Sequence, residues 1–261
     1  MVKPWIPTTE IVDTSNIVRW MRDLGHEVDA ENPTVAVNNF IRWSQESSAD
    51  FWDALMLDLG VVWTQGYEQT LDLSKGPEWA DWFVGGRTSI ALNCVDLPAS
   101  ENPDDLALVG ESEDGTVRRW TFSEVADHVD QLAGLLRSRG IRPGDRIGCL
   151  MPMVAEVAFA MLATMKVGAV FVPIFSGYAA PSVRERLEDA SAKLLFTADV
   201  GFRRGKSFDL KSHADAALEN LECVESVIVL KRGDGSCSMT PDRDLWWDDS
   251  LQQEFADTST E

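Results

Sequence analysis

Between residues 141 and 206 the apolar residues change spacing twice, and that change limits the chain to a small set of folds. Residues 146–150 and 170–174 are apolar runs of strand length. Between them Val154, Val157, Ala158, Met161, Leu162 and Met165 recur at the spacing of one helical face. Pro143-Gly144-Asp145 introduces the first run as a turn, and Gly168 closes the helix where a left-handed residue is wanted. A strand that returns through a helix pairs in parallel with its predecessor. The segment therefore predicts a parallel sheet.

The unit repeats on both sides. Downstream, Pro181 suits a first helical turn, with Val183, Leu187 and Ala190 as its buried face. A third strand is expected at 193–197, a helix with Leu210, Ala214, Ala217, Leu218 and Leu221 inward, and a fourth strand at 227–230. Upstream, short strands at 107–109 and 117–120 flank a turn at Glu113-Asp114-Gly115. Thr121 and Glu124 have capping-box spacing, and Val125, Val129, Leu132, Leu135 and Leu136 mark a helix that stops at Gly140. Alternation of this kind makes residues 101–261 an α/β domain with a doubly wound, mainly parallel sheet and right-handed crossovers.

Residues 1–100 have few strand-like patterns and most of the tryptophans. Phe40, Ile41 and Trp43, then Phe51, Trp52, Leu55 and Leu59, predict two or three short helices broken at Asn32-Pro33 and Gly60. This is a mostly helical extension whose tryptophans form core. The tail 257–261 reads as a linker.

Charge narrows the partners. The formal net charge is −20, from 43 acidic and 23 basic residues. Such a surface repels phosphate backbones and anionic lipid, so neither nucleic acid nor membrane is expected as a partner. Only seven of the cations are lysines. Abundant carboxylates with few lysines suit a chain hydrated in concentrated salt. The two readings are a halophilic source, whose protein loses stability as KCl is removed, and an ordinary acidic cytosolic protein, whose stability does not depend on KCl in that way. No apolar run reaches the ~20 residues of a membrane span, and a cytoplasmic location is expected. Cys94, Cys149, Cys223 and Cys237 lack metal-ligand spacing, and His26, His128 and His213 are scattered. No metal site and no catalytic residue is assigned.

Ligands of open α/β sheets lie beyond the carboxyl ends of the strands. One such loop is Phe175-Ser176-Gly177-Tyr178, where Gly177 allows close approach to the backbone. Another is Gly201-Phe202-Arg203-Arg204-Gly205-Lys206, a local positive spot that suits a phosphate or diphosphate. Gly233-Asp234-Gly235-Ser236 reads as a hairpin turn.

The run GDRIGCLMPMVAEVAFAMLATMKVGAVFVPIFSGY, followed by RERLEDASAKLLFTADVGFRRGK, resembles the N-terminal half of AMP-forming acyl-CoA ligases, and within them the acetyl-CoA synthetases. FWDALMLDLGVVW, PEWADWFVGGRTSIALNCVD and RDLWWDD extend the resemblance over most of the chain. It implies that Phe175, Ser176 and Gly177 line the nucleotide of coenzyme A while Arg203 and Lys206 meet its phosphates or adenine. Ser176 stands where the family usually has glycine, and Lys206 where arginine is common. The implied reaction joins a short-chain carboxylic acid, with acetate favoured, to CoA at the expense of ATP, releasing AMP and pyrophosphate.

The family's ATP loop, roughly TSGTTGKPKG, does not occur in the sequence, so ATP and Mg belong to the complete enzyme only, and this chain by itself is expected to be inactive. The alternative is a non-catalytic protein that binds CoA nucleotides or docks onto a separately encoded C-terminal ligase half. A sheet left with an open edge also makes a homo-oligomer an expected partner state.

Overall fold

The computed structural model describes residues 6–234, 236–252, 255 and 257–261. The chain divides into two compact units, Met1–Thr88 and Ser89–Glu261, upstream of the polar stretch at 101–105. The segment after Ser89 belongs to the second unit because Ala91 and Val95 are buried, Val95 in that unit's core.

In the first unit, helices α1 (Thr9–Thr14), α2 (Asn16–Asp23), α3 (Thr34–Glu46) and α4 (Ser48–Asp58) precede a hairpin of β1 (Gln69–Asp72) and β2 (Asp81–Val84). The helices gather Trp20, Met21 and Phe40 into a small core, with Trp43, Phe51 and Leu55 against it. Trp20 meets Phe40 edge to face at 5.4 Å between ring centres, an arrangement that suits the ring quadrupoles. Sequence reading missed the hairpin, because β1 and β2 are mostly exposed or half-buried and carry no clean alternation.

The second unit begins with a π-helical turn (Leu92–Asp96) and α5 (Leu97–Glu101). Strands β3 (Leu106–Glu111) and β4 (Val117–Thr121) form an antiparallel hairpin, and α6 (Phe122–Ser138) starts at the expected capping box. The central stretch folds as β5 (Arg146–Cys149), α7 (Ala155–Lys166) and β6 (Val170–Pro173). Next come α8 (Ala180–Asp189), β7 (Leu194–Ala198), β8 (Val200–Arg203), β9 (Lys206–Asp209), α9 (Leu210–Leu218) and β10 (Ser226–Leu230). Strand β11 (Asp244–Trp246) and α10 (Trp247–Ser250) complete it.

The sheet order is β11-β10-β7-β5-β6, with every pairing parallel. All five residues of β7 and all five of β10 are buried, so both faces of the sheet are covered. Helix α6 packs on α7, and α8 on α9. Gly148 in β5 admits α8: a Cβ there would stand 2.5 Å from Leu187 Cδ2.

Three expectations change. Gly235 lies outside the described residues, but the chain around it is not a hairpin turn, since β10 and β11 run parallel. The tail is not a loose linker. Arg137 pairs with Asp257 at 3.3 Å and donates to Ser259 O at 2.7 Å, and Glu261 N donates to Lys166 O at 3.0 Å. The GFRRGK stretch is no irregular loop either. It is the tip of an antiparallel hairpin, β8–β9.

Candidate functional site

A cleft of about 960 Å³ opens at the carboxyl ends of the parallel strands. Pro152 and Met153 follow β5, Phe175, Ser176 and Gly177 follow β6, the β8–β9 hairpin follows β7, and Arg232 follows β10; all line it. Strand β5 connects outward to β6 while β7 connects the other way to β10. The cleft therefore lies at the switch point where open α/β sheets hold ligands.

Phe175, Ser176 and Gly177 are held by the turn that ends β6. Ile174 N donates to Cys149 O at 2.8 Å and Tyr178 N to Phe175 O at 3.0 Å. The Phe175 ring folds back over Gly177, whose missing Cβ would lie 2.5 Å from Cε1, and meets Tyr178 edge to face. Tyr178 is capped by the Arg186 guanidinium at 4.3 Å, and His213 Nε2 lies 2.6 Å from Tyr178 O. Phe175 remains 60% exposed, an apolar plate offered to the cleft.

Arg203 and Lys206 face each other across the hairpin end. Between them Arg204 and Gly205 have φ of 54° and 72°, the positive pair that a two-residue I′ turn requires. Arg203 lines the cleft; Lys206 stands beside it, exposed, and is not among the lining residues. Four of the five sequence candidates thus converge.

The hairpin's base is fixed by Asp199, 2% exposed, whose carboxylate accepts from Val200 N at 2.7 Å, Arg232 N at 2.7 Å and Gly233 N at 3.0 Å. Its carbonyl accepts from Leu210 N and Lys211 N, both at 3.1 Å. One residue thereby ties together β8, α9 and the loop after β10.

Sequence reading missed Arg232. Its guanidinium lies 5.1 Å over the Phe202 ring; burial pushes its pKa down, against the opposing pull of Glu156 and Asp199. An arginine remains a cation under such conditions. The signal was available, since Lys231-Arg232-Gly233 follows a strand as directly as the two loops that were read.

The positive spot is also less bare than the sequence suggests. Glu111 at the end of β3 and Glu113 and Asp114 of the β3–β4 turn line the same cleft. Arg204 N and Gly205 N donate to the Glu113 carboxylate at 3.1 and 3.0 Å. Those bonds, Gly205 first, with Arg203 and Arg232 nearby, hold its carboxyl below the usual range.

Aromatic plates beside two arginines can take a flat base and an attached phosphate. The lining contains no histidine or cysteine, and among the described residues no cluster of His, Cys, Asp and Glu could hold a metal ion. Among the described residues no helix is long and apolar enough to cross a membrane.

The chain is similar to known proteins over nearly its whole length. Residues 95–259 match the family model for the AMP-binding enzyme, and residues 37–94 that for the acetyl-coenzyme A synthetase N-terminus. The acetyl-coenzyme A synthetase of Deinococcus radiodurans is 38% identical over 215 residues, 82% of this chain and 32% of that protein. That of Methanothrix thermoacetophila is 34% identical over 254 residues, 96% of this chain and 37% of its own length. The solved acetoacetyl-CoA synthetase from Streptomyces lividans superimposes with a TM-score of 0.85 at 27% identity, covering 98% of this chain and 39% of that one. The chain thus spans about a third of the length of the curated relatives it matches.

Proposed function

Because the chain belongs to the AMP-binding enzyme family and corresponds to the N-terminal part of its acyl-CoA ligases, we propose that it contributes scaffold and part of the CoA nucleotide site to an AMP-forming short-chain acyl-CoA ligase. The observation that carries this reading is the meeting of the Phe175–Gly177 loop with Arg203 in one cleft at the switch point. Its volume suits a nucleotide, falling within the roughly 300–1,000 Å³ of small-molecule sites.

In the proposed reaction a carboxylate attacks ATP to give an acyl-adenylate and pyrophosphate, and the CoA thiol then displaces AMP to give the thioester. Acetate is the favoured acid. We assign adenylation to residues outside this chain and give the chain the work of binding and orientation. Phe175 and Phe202 offer faces for the adenine, Arg203 and Arg232 offer charge for its phosphates, and Asp199 keeps the two arginine-bearing loops in register. Holding the nucleotide end in place leaves the thiol end to be positioned at modest entropic cost.

Calorimetric titration with CoA, beside an Arg203→Ala variant, tests the reading. Saturable binding that the variant loses is the expected result. Equal binding by both proteins would move the site elsewhere. Formation of AMP from ATP, acetate and CoA by this chain alone would overturn the division of labour.

A further inference from the structure

The Arg204 and Gly205 amides converge on one anion, and that anion belongs to the protein. Arg204 N reaches Glu113 Oε1 at 3.1 Å and Gly205 N reaches Oε2 at 3.0 Å, so each carboxylate oxygen takes one N–H. Glu113 is remote in sequence and comes from a different hairpin, the β3–β4 turn, yet both turns line the same cleft. Successive backbone N–H groups presented in a turn form an anion-binding concavity, and Arg203 adds charge at its side.

We propose that Glu113 is a specificity-determining residue of this cleft, an internal carboxylate seated on the hairpin-tip amides that a ligand phosphate must displace to gain them. The proposal rests on the reading of the cleft as a nucleotide site. Its consequence is selection by charge and acceptor number. A phosphate monoester or diphosphate brings more negative charge and three or more acceptor oxygens, and so competes well with a single carboxylate. A short-chain carboxylic acid is chemically the same as Glu113 and gains nothing by exchanging with it. Rejection of one anion by an occupant of its own kind is discrimination through a built-in competitor.

The test follows the Arg204 and Gly205 amide resonances while inorganic pyrophosphate, and separately acetate, is added to the parent chain and to Glu113→Gln. Unchanged resonances elsewhere control for the fold. The expected result is a pyrophosphate midpoint about tenfold lower in the variant, the worth of one charge-assisted hydrogen bond no longer opposed. Acetate should move the two amides in the variant and leave them unmoved in the parent. Equal midpoints, or no response of these amides in either protein, would overturn the proposal. CoA calorimetry separates the two claims. CoA binding lost in Arg203→Ala alongside equal pyrophosphate midpoints would keep the nucleotide site and remove the role of Glu113. A tenfold midpoint shift without CoA binding would do the reverse.

Discussion

Lys211 and Arg203 lie on the same connection between β7 and β10, and the fold puts them to opposite uses. Lys211 is 1% exposed, with Asp244 Oδ2 at 2.8 Å, Asp215 Oδ2 at 2.7 Å and Ser238 O at 3.0 Å around its Nζ. Among the described residues Arg203 forms no ion pair, and its surroundings are a cleft. A cation sealed in by its own chain's carboxylates has been spent on the fold, whereas one left facing a cleft is available to a ligand. In a chain with 43 acidic residues the difference is set by position, because counter-charges are plentiful.

The first way to break that comparison is to remove Lys211. Lys211→Met leaves the buried Asp244 short of a partner, and the expected loss is about 3–5 kcal/mol of the second unit's stability in urea. Arg203→Ala should stay within about 0.5 kcal/mol of the parent, as exposed substitutions do. Similar losses would mean that the two cations are not divided between fold and ligand.

A smaller effect is expected at Gly148, which separates packing from charge. Gly148→Ala drives a Cβ to 2.5 Å from Leu187 Cδ2 in a fully buried site, and overpacking of this kind costs about 1–3 kcal/mol. Gly205→Ala meets nothing within 4 Å but keeps φ at +72°, so its cost is backbone strain of about 1 kcal/mol. Thermal melts of the pair would show whether the sheet or the hairpin tip is the less forgiving.

Acid sharpens the comparison further. Burial alone would push the Asp244 carboxyl up, but bonds from Arg243, Lys211 and Thr240 N hold it below its ordinary 3.8. A carboxyl depressed in the folded state contributes stability that is present above the unfolded value and lost as pH falls through the folded one. The melting temperature should therefore hold steady down to about pH 5 and decline below about pH 4. In Lys211→Met burial meets less opposition, the folded-state depression shrinks, and the decline below about pH 4 should be shallower than in the parent. An unchanged acid limb would show that Asp244 does not contribute.

Much of the fold was legible because buried elements carry period. Strands β7 and β10 and helix α6 stand where apolar spacing puts them, and Thr121 and Glu124 form both bonds of their capping box. Helix α7 forms where its period is helical, but the residues read there, Val154, Val157, Ala158, Met161, Leu162 and Met165, are half-buried, and Ala155, Phe159, Ala160 and Ala163 make the buried face. The β8–β9 hairpin was not legible as strands. All four residues of β9 are exposed, so no face selects one set of side chains over the other. Strand β11 has only three residues, too few for a period. The site followed the same logic. Phe175 to Gly177 and Arg203 could be placed at the cleft because it opens at the strand ends, but Glu113 comes from another hairpin, and only the tertiary fold brings it to the tip.

The finest test lies between the two residues that sequence reading weighed equally. Arg203 and Lys206 are cross-strand neighbours at the hairpin end, yet only Arg203 lines the cleft. A guanidinium within reach of a phosphate makes directed, paired bonds, and its loss should weaken CoA binding by more than about tenfold. Lys206, exposed at the side, acts through the field alone, and Lys206→Ala should cost about two- to threefold, a deficit that disappears as salt shortens the screening length. Titrations of both variants at low and high KCl decide between the two. An equal, salt-resistant loss would place the Lys206 amine on the ligand and make the tip, with both of its flanking cations, the phosphate clamp.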